Sequence, residues 1–185
     1  MNIVLFGAPG VGKGTQASLL ATRLAVPHIS TGAIFRAALD SGSDLGLAAK
    51  RYMDQGLLVP DDLTTAIALD ALAEPACANG FILDGYPRNT VQAQSLDNAL
   101  AAGNRSVDHV IHLVAPEHEL IERMLGRGRA DDSREVIQNR LQVYLDETAP
   151  VLDYYRSNSR ILDVNGVGEI EIVHERIMRA LGSVA

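Results

Sequence analysis

The stretch "NIVLFGAPGVGKGTQ", residues 2 to 16, limits the fold more than any other part of the chain. "NIVLF" reads as a buried strand, and behind it four of the 16 glycines fall within positions 7 to 14, around a lysine. A strand that ends at Gly7 and a helix that starts near Lys13 leave a turn whose amide N–H groups all point inward, provided that no Cβ intervenes. Gly10, Gly12 and Gly14 meet that condition. Unpaired N–H groups at a helix start, joined to a dipole end worth about half a charge, cradle an anion of phosphate size. Lys13 adds a mobile positive charge for the outer phosphates of a nucleotide. Spacing and context match the phosphate-binding loop G-x-x-x-x-G-K, with Val11 inside it. At one position the chain departs from the motif: Gly14 stands where a hydroxyl residue is usual, and the hydroxyl follows at Thr15. No direct Mg²⁺ ligand is therefore assigned, and Thr15 is expected to reach the ion through water.

Four further β-rich runs, "PHIS", "GFILD", "DHVIHLV" and "RILDV", alternate with helix-length segments. That beat predicts an α/β fold with a five-stranded parallel sheet covered by helices on both faces. Residues 31 to 73 hold no convincing strand, which predicts a helical insertion after the second strand. Residues 133 to 157 carry Ile137, Leu141, Tyr144, Leu145, Thr148 and Leu152 at helical spacing, one face of a long helix, with Asp132-x-x-Glu135 read as a capping box at its start. The segment "GRGRADD", 126 to 132, reads as a hinge between helices.

A chain of 185 residues fits a single domain, 1–185, that buries about 70% of its unfolded surface without staples. The lone cysteine, Cys77, forms no internal disulfide, and no secretory signal precedes the first strand, so the cytoplasm is expected. No apolar run approaches the ~20 residues of a membrane span. A net charge of -7 argues against a broad nucleic-acid surface but leaves room for a local anion site. The 16 basic residues are nearly all arginines, the two lysines being Lys13 and Lys50.

Asp84 ends the strand "FILD", where phosphate-loop proteins keep the acid that orients Mg²⁺ or its waters. No Asn-Lys pair supplies the guanine-reading motif of regulatory GTPases. Arg36, Arg88, Arg123, Arg127, Arg129 and Arg140 follow predicted strands or flank the hinge, where they converge on the sheet's carboxyl edge. Phosphoryl transfer needs cations on two mutually repelling phosphate groups, and guanidinium forks suit that task better than ammonium groups.

"GAPGVGKGTQ", "ISTGAIFR", "GLLVPDD", "FILDGYPRNTVQA", "ERMLGRGRADD" and "NRLQVYLDETAPVLDYY" together resemble the adenylate kinases of short-lid type, nearly end to end. The resemblance implies the P-loop NTPase fold, with an AMP-binding subdomain at 30–59 and a lid at 126–132. It implies ATP at Gly10, Val11, Gly12, Lys13, Gly14 and Thr15, clamped by Arg127, with Gly166 beside the adenine. It implies AMP at Thr31, Arg36, Leu57, Leu58, Val59, Gly85, Tyr86, Pro87, Arg88, Gln92, Arg129 and Arg140, and a cis Tyr86-Pro87 bond. The implied catalytic set is Lys13, Asp84, Arg88, Arg123, Arg127, Arg129 and Arg140, with Mg²⁺ carried by ATP, and a monomer is expected. Zinc is not expected, since a short lid with Cys77 alone offers no cysteine set. Ala33 stands where the resemblance implies an acid, so a weaker Mg²⁺ dependence is expected.

Gln92 offers an amide donor and acceptor that match N1 and the N6 amino group of adenine, a pattern that uracil reverses. Thr31 and Gln92 also have structural readings, as a helix N-cap and as half of an Asn89-x-x-Gln92 capping pair. The expected reaction is reversible transfer from ATP to AMP, giving two ADP. UMP/CMP kinase, a kinase with a non-nucleotide acceptor and a non-catalytic ATP-binding module are the alternatives.

Overall fold

The computed structural model describes residues 1–129, 132–157 and 160–182. Ala130 and Asp131, within the expected lid segment, lie outside the described residues. Five strands, β1 (Asn2–Phe6), β2 (His28–Ser30), β3 (Phe81–Asp84), β4 (His109–Val114) and β5 (Arg160–Asn165), fall where the β-rich runs predict them. All pair in parallel, in the order β2-β3-β1-β4-β5. Every residue of β1 is buried, as a strand covered on both faces requires.

Alternation along each strand sends side chains to two separate cores. Val4, Phe6, Leu83 and Val110 pack with α4 (Asp61–Ala73), α5 (Thr90–Ala102) and α8 (Val151–Arg156), through Ala68, Leu72, Leu96 and Tyr155. Ile3, Leu5, Ile82 and Ile111 pack on the opposite face, against α1 (Lys13–Leu24), α6 (Glu117–Gly126), α7 (Arg134–Val143) and α9 (Ile170–Gly182). The predicted helical insertion is α2 (Thr31–Asp40) and α3 (Asp44–Met53), followed by α4. A small third cluster of Phe35, Ala49 and Val59 holds α2 and α3 together. Gly46 lets them meet, since a Cβ there would stand 2.2 Å from the Leu39 nitrogen.

Three local readings are corrected. The N-cap of α7 is Ser133, whose side chain accepts from the Val136 N–H, and Asp132 is engaged elsewhere. The N-cap of α2 is Ser30, accepting from Ala33, and Thr31 is the first helical residue. The long helix expected over 133 to 157 runs as α7, a π-helical turn (Tyr144–Thr148) and α8 after Pro150, because proline has no N–H to continue the ladder. Among the described residues no helix is long and apolar enough to cross a membrane.

Candidate active site

All five strands deliver their following loops to one edge of the sheet, and between those loops lies a cleft of about 770 Å³. Ligands of open parallel sheets bind in that position, outside the carboxyl ends of the strands. The turn from β1 to α1 forms the cleft floor. Gly10 and Gly12 have φ of 87° and 101°, in the left-handed region. A Cβ on Gly10 would stand 2.6 Å from the Leu120 carbonyl oxygen, so the loop lies against α6 with no space for any other residue there. Gly12 occupies the N-cap position of α1 with no side-chain cap, so the helix opens with N–H groups that its own sequence leaves uncapped.

Lys13 Nζ donates to the carbonyls of Gly7 (2.7 Å) and Ala8 (3.0 Å). Burial, reinforced by Arg88, Arg127 and Arg129 against the opposing pull of Asp84, lowers its pKa to about 8. Asp84 is the nearby acid, its Oδ2 3.4 Å from where a Cβ on Gly14 would sit. Burial opposes ionisation of Asp84, but His28, Lys13 and Arg88 outweigh it and hold the carboxyl below its usual range. His28 Nε2 stands 3.8 Å from the Asp84 Oδ2, beyond ordinary hydrogen-bond distance. Ser30 Oγ donates weakly to the same oxygen at 3.4 Å.

All six singled-out arginines, Arg36, Arg88, Arg123, Arg127, Arg129 and Arg140, line this cleft. Arg88 Nε donates to the Gly85 carbonyl (2.8 Å), and burial together with Arg140 and Arg36 lowers its pKa, with Asp84 opposing. Arg123, on α6, donates to the Gly166 carbonyl (3.0 Å) after β5 and to Glu119 (3.0 Å) one turn earlier on its own helix. Thr31 Oγ1 donates to the Gly85 carbonyl at 2.9 Å, which ties α2 to the loop after β3. Tyr86-Pro87 is cis.

Most of the remaining sequence-derived site residues also face the cleft: Val11, Thr15, Leu57, Leu58, Val59, Pro87, Gln92 and Gly166. Tyr86 does not. Its ring is buried in the core, and its hydroxyl donates to the Gln92 carbonyl at 3.1 Å. Asn89 does cap α5, accepting from the Gln92 N–H at 2.9 Å.

The sequence reading missed two contributors. Asp132, with its side chain only 2% exposed, accepts from Arg127 Nε (2.6 Å) and Nη2 (2.8 Å) and from Arg140 Nη1 (2.9 Å). Burial would raise its pKa, but the Arg127 hydrogen bonds and the charges of Arg127, Arg140 and Arg129 hold it below the usual carboxylate range. The signal was an acid within reach of three arginines, hidden by its capping-box spacing. Tyr144 lines the cleft from the π-helical turn, its hydroxyl 3.3 Å from His112 Nε2, and burial pushes its pKa up to about 12.

Among the described residues no group of three or more His, Cys, Asp or Glu gathers to hold a metal. Among the described residues that line the cleft Asp84 is the one carboxylate, and with the Thr15 hydroxyl it suits a Mg²⁺ ion bound mainly by phosphates and water.

The chain matches the model of the family described as "Adenylate kinase" over residues 5–160. It is 53% identical over 182 residues to an adenylate kinase of Mycobacterium sp. (strain MCS), covering 98% of this chain and 99% of the relative. Over the same shares it is 50% identical to an adenylate kinase of Nocardia farcinica and 51% identical to one of Mycolicibacterium vanbaalenii. A cleft floored by bare amides and walled by guanidinium groups thus accompanies a match along nearly the whole chain, and the protein belongs to the adenylate kinase family.

Proposed function

We propose that the cleft holds two nucleotides with their phosphates facing each other and carries out the reversible reaction ATP + AMP to two ADP. The observation that carries this reading is the convergence of Lys13 and six arginines on one cleft around an amide-lined loop. A site for one nucleotide needs fewer cations, whereas two facing phosphate chains need them on both sides.

ATP lies along the turn of Gly10, Val11, Gly12, Lys13, Gly14 and Thr15, with Gly166 by the adenine and Arg127 across the phosphates. AMP lies against Thr31, Arg36, the 57 to 59 backbone, Gly85, Pro87, Arg88 and Gln92, its phosphate met by Arg88, Arg129 and Arg140. An AMP phosphate oxygen attacks the γ-phosphorus. The new P–O bond forms as the bond to the β,γ-bridging oxygen breaks, and ADP leaves with that electron pair. The attacking oxygen is already ionised near neutral pH, so no general base is required. Arg123, Lys13 and the other guanidiniums neutralise charge as it spreads, and one arginine so placed is worth about 10³ to 10⁵ in rate. Asp84 and Thr15 would hold Mg²⁺ through its waters; when bound, the ion neutralises the β- and γ-phosphates. Residues 30 to 59 and 126 to 132 close over the two nucleotides and exclude water, the competing acceptor. The enzyme works as a cytoplasmic monomer.

The test is ADP formation from ATP plus AMP in wild type and in Lys13→Met, with CMP and UMP assayed in parallel. AMP-dependent ADP formation, lost in Lys13→Met and at least tenfold weaker with CMP or UMP, is expected. Tight ATP binding with no ADP on adding AMP would refute the reading.

A further inference from the structure

An amide that reads a base is selective only if it cannot turn over. Gln92 sits in the first turn of α5 and is 1% exposed. Its Oε1 accepts from the Arg88 backbone N–H at 2.8 Å, and its Nε2 donates to Asp61 Oδ1 at 2.7 Å. A backbone N–H only donates and a carboxylate only accepts, so these two neighbours decide which end of the amide is which. Turning it over would set NH₂ against N–H and a carbonyl against a carboxylate, two mismatches in a buried place.

Asp61 is itself fixed. The same Oδ1 accepts from Asn89 Nδ2 at 2.8 Å, and Asn89 Oδ1 accepts from the Gln92 N–H at 2.9 Å. Asp61, Asn89 and Gln92 therefore close a ring that ties the first turn of α4 to the first turn of α5. Gln92 lines the cleft and Asp61 does not, so whatever Asp61 does to a bound base passes through Gln92.

We infer that Asp61 is a positioning residue that sets acceptor specificity, by holding the Gln92 amide in the one orientation that fits a 6-aminopurine. The second lone pair of Oε1 and the second N–H of Nε2 remain for the ligand. In that order they accept from an N6 amino group and donate to N1. A 6-oxopurine presents the reverse, an O6 acceptor and an N1–H donor. This inference rests on the reading that Gln92 faces the acceptor base.

The test compares Asp61→Ala, Asp61→Asn, Asp62→Ala and Gln92→Ala in steady-state assays with AMP and with IMP as acceptors at saturating ATP. Asp61→Ala is expected to raise KM for AMP about tenfold with kcat little changed, and to lower the AMP-to-IMP ratio of kcat/KM by a similar factor. Asp61→Asn keeps an oxygen that accepts from both Asn89 and Gln92 and restores most of the ratio. Asp62→Ala removes the neighbouring first-turn acid, whose Oδ1 accepts only from the Leu63 N–H among the bonds described for it, and leaves the ratio unchanged. Asp61→Ser, too short to reach Gln92, replaces Asp61→Ala if that variant does not fold. An unchanged ratio in Asp61→Ala while Gln92→Ala collapses it overturns the Asp61 inference alone, as does a failure of Asp61→Asn to restore it. A Gln92→Ala enzyme with unaltered KM and ratio overturns the reading beneath it.

Discussion

Replacing Asp132 by Asn removes one negative charge from among three guanidiniums while keeping the side chain's shape. The wild-type carboxylate accepts three charge-assisted bonds, two from Arg127 and one from Arg140. Such bonds contribute about 1.5–3 kcal/mol each in favourable settings, and removing one partner of a buried pair costs about 3–5 kcal/mol. Two features moderate the loss here. Asn keeps one acceptor oxygen, and the Arg127 and Arg140 side chains, 27% and 16% exposed, recover part of their hydration. The expected loss is therefore about 3 kcal/mol at pH 7, the low end of the buried-pair range. For a chain of this size that corresponds to a fall in Tm of roughly 6 to 12 °C. Urea unfolding without nucleotide measures it directly. A loss below about 1 kcal/mol, the value of an exposed pair, would refute the reasoning. The pH dependence supplies a second check. Because the folded-state pKa of Asp132 is depressed, its contribution is present above the ordinary carboxyl value and is lost as pH falls through the held value. The gap between wild type and Asp132→Asn should then be constant near neutrality and shrink below pH ~4.

Three other outcomes are expected. With the Lys13 pKa lowered to about 8, kcat/KM for ATP falls as pH rises through that value and the ammonium loses its proton; Lys13→Arg moves the falling limb out of range, and a flat wild-type profile from pH 7 to 9.5 would contradict the assignment. Ala33 is exposed in the first turn of α2, which holds no acid, so Ala33→Asp lowers the Mg²⁺ concentration for half-maximal rate and adds about 0.3–1 kcal/mol of stability; an unchanged Mg²⁺ titration disposes of the first part. Gly10→Ala places a Cβ 2.6 Å from the Leu120 carbonyl at φ 87° and should cost about 1–3 kcal/mol of stability and raise KM for ATP, both measurable on the purified variant.

Four of the five strands were legible as short apolar runs and the three-residue β2 mainly by its place in the alternation with helix-length segments, and the phosphate-type loop because its glycines obey local sterics. The arginines were legible as a set, from charge and from their places after strands. Features that depend on how elements pack together were not. Asp132 looked like a cap because Glu135 follows at the right spacing, whereas its partners are Arg127, at the end of α6, and Arg140, on α7. Asp61, in "GLLVPDD", has no visible role in the sequence, since Gln92 lies 31 positions away and only the packing of α4 against α5 joins them. The π-helical turn was hidden because Tyr144 and Thr148 keep a four-residue spacing through it, so the apolar face continued on paper while the backbone changed its ladder.

The resting contacts of Lys13 bear on how quickly the loop can change occupants. Its ammonium leans on two uncharged carbonyls, those of Gly7 and Ala8, within its own turn. An arriving triphosphate thus displaces bonds between an ammonium and uncharged carbonyls rather than prying apart a salt bridge, and on departure the same carbonyls take the ammonium back. Loading and unloading should then be limited by the larger movements of the chain and not by the lysine.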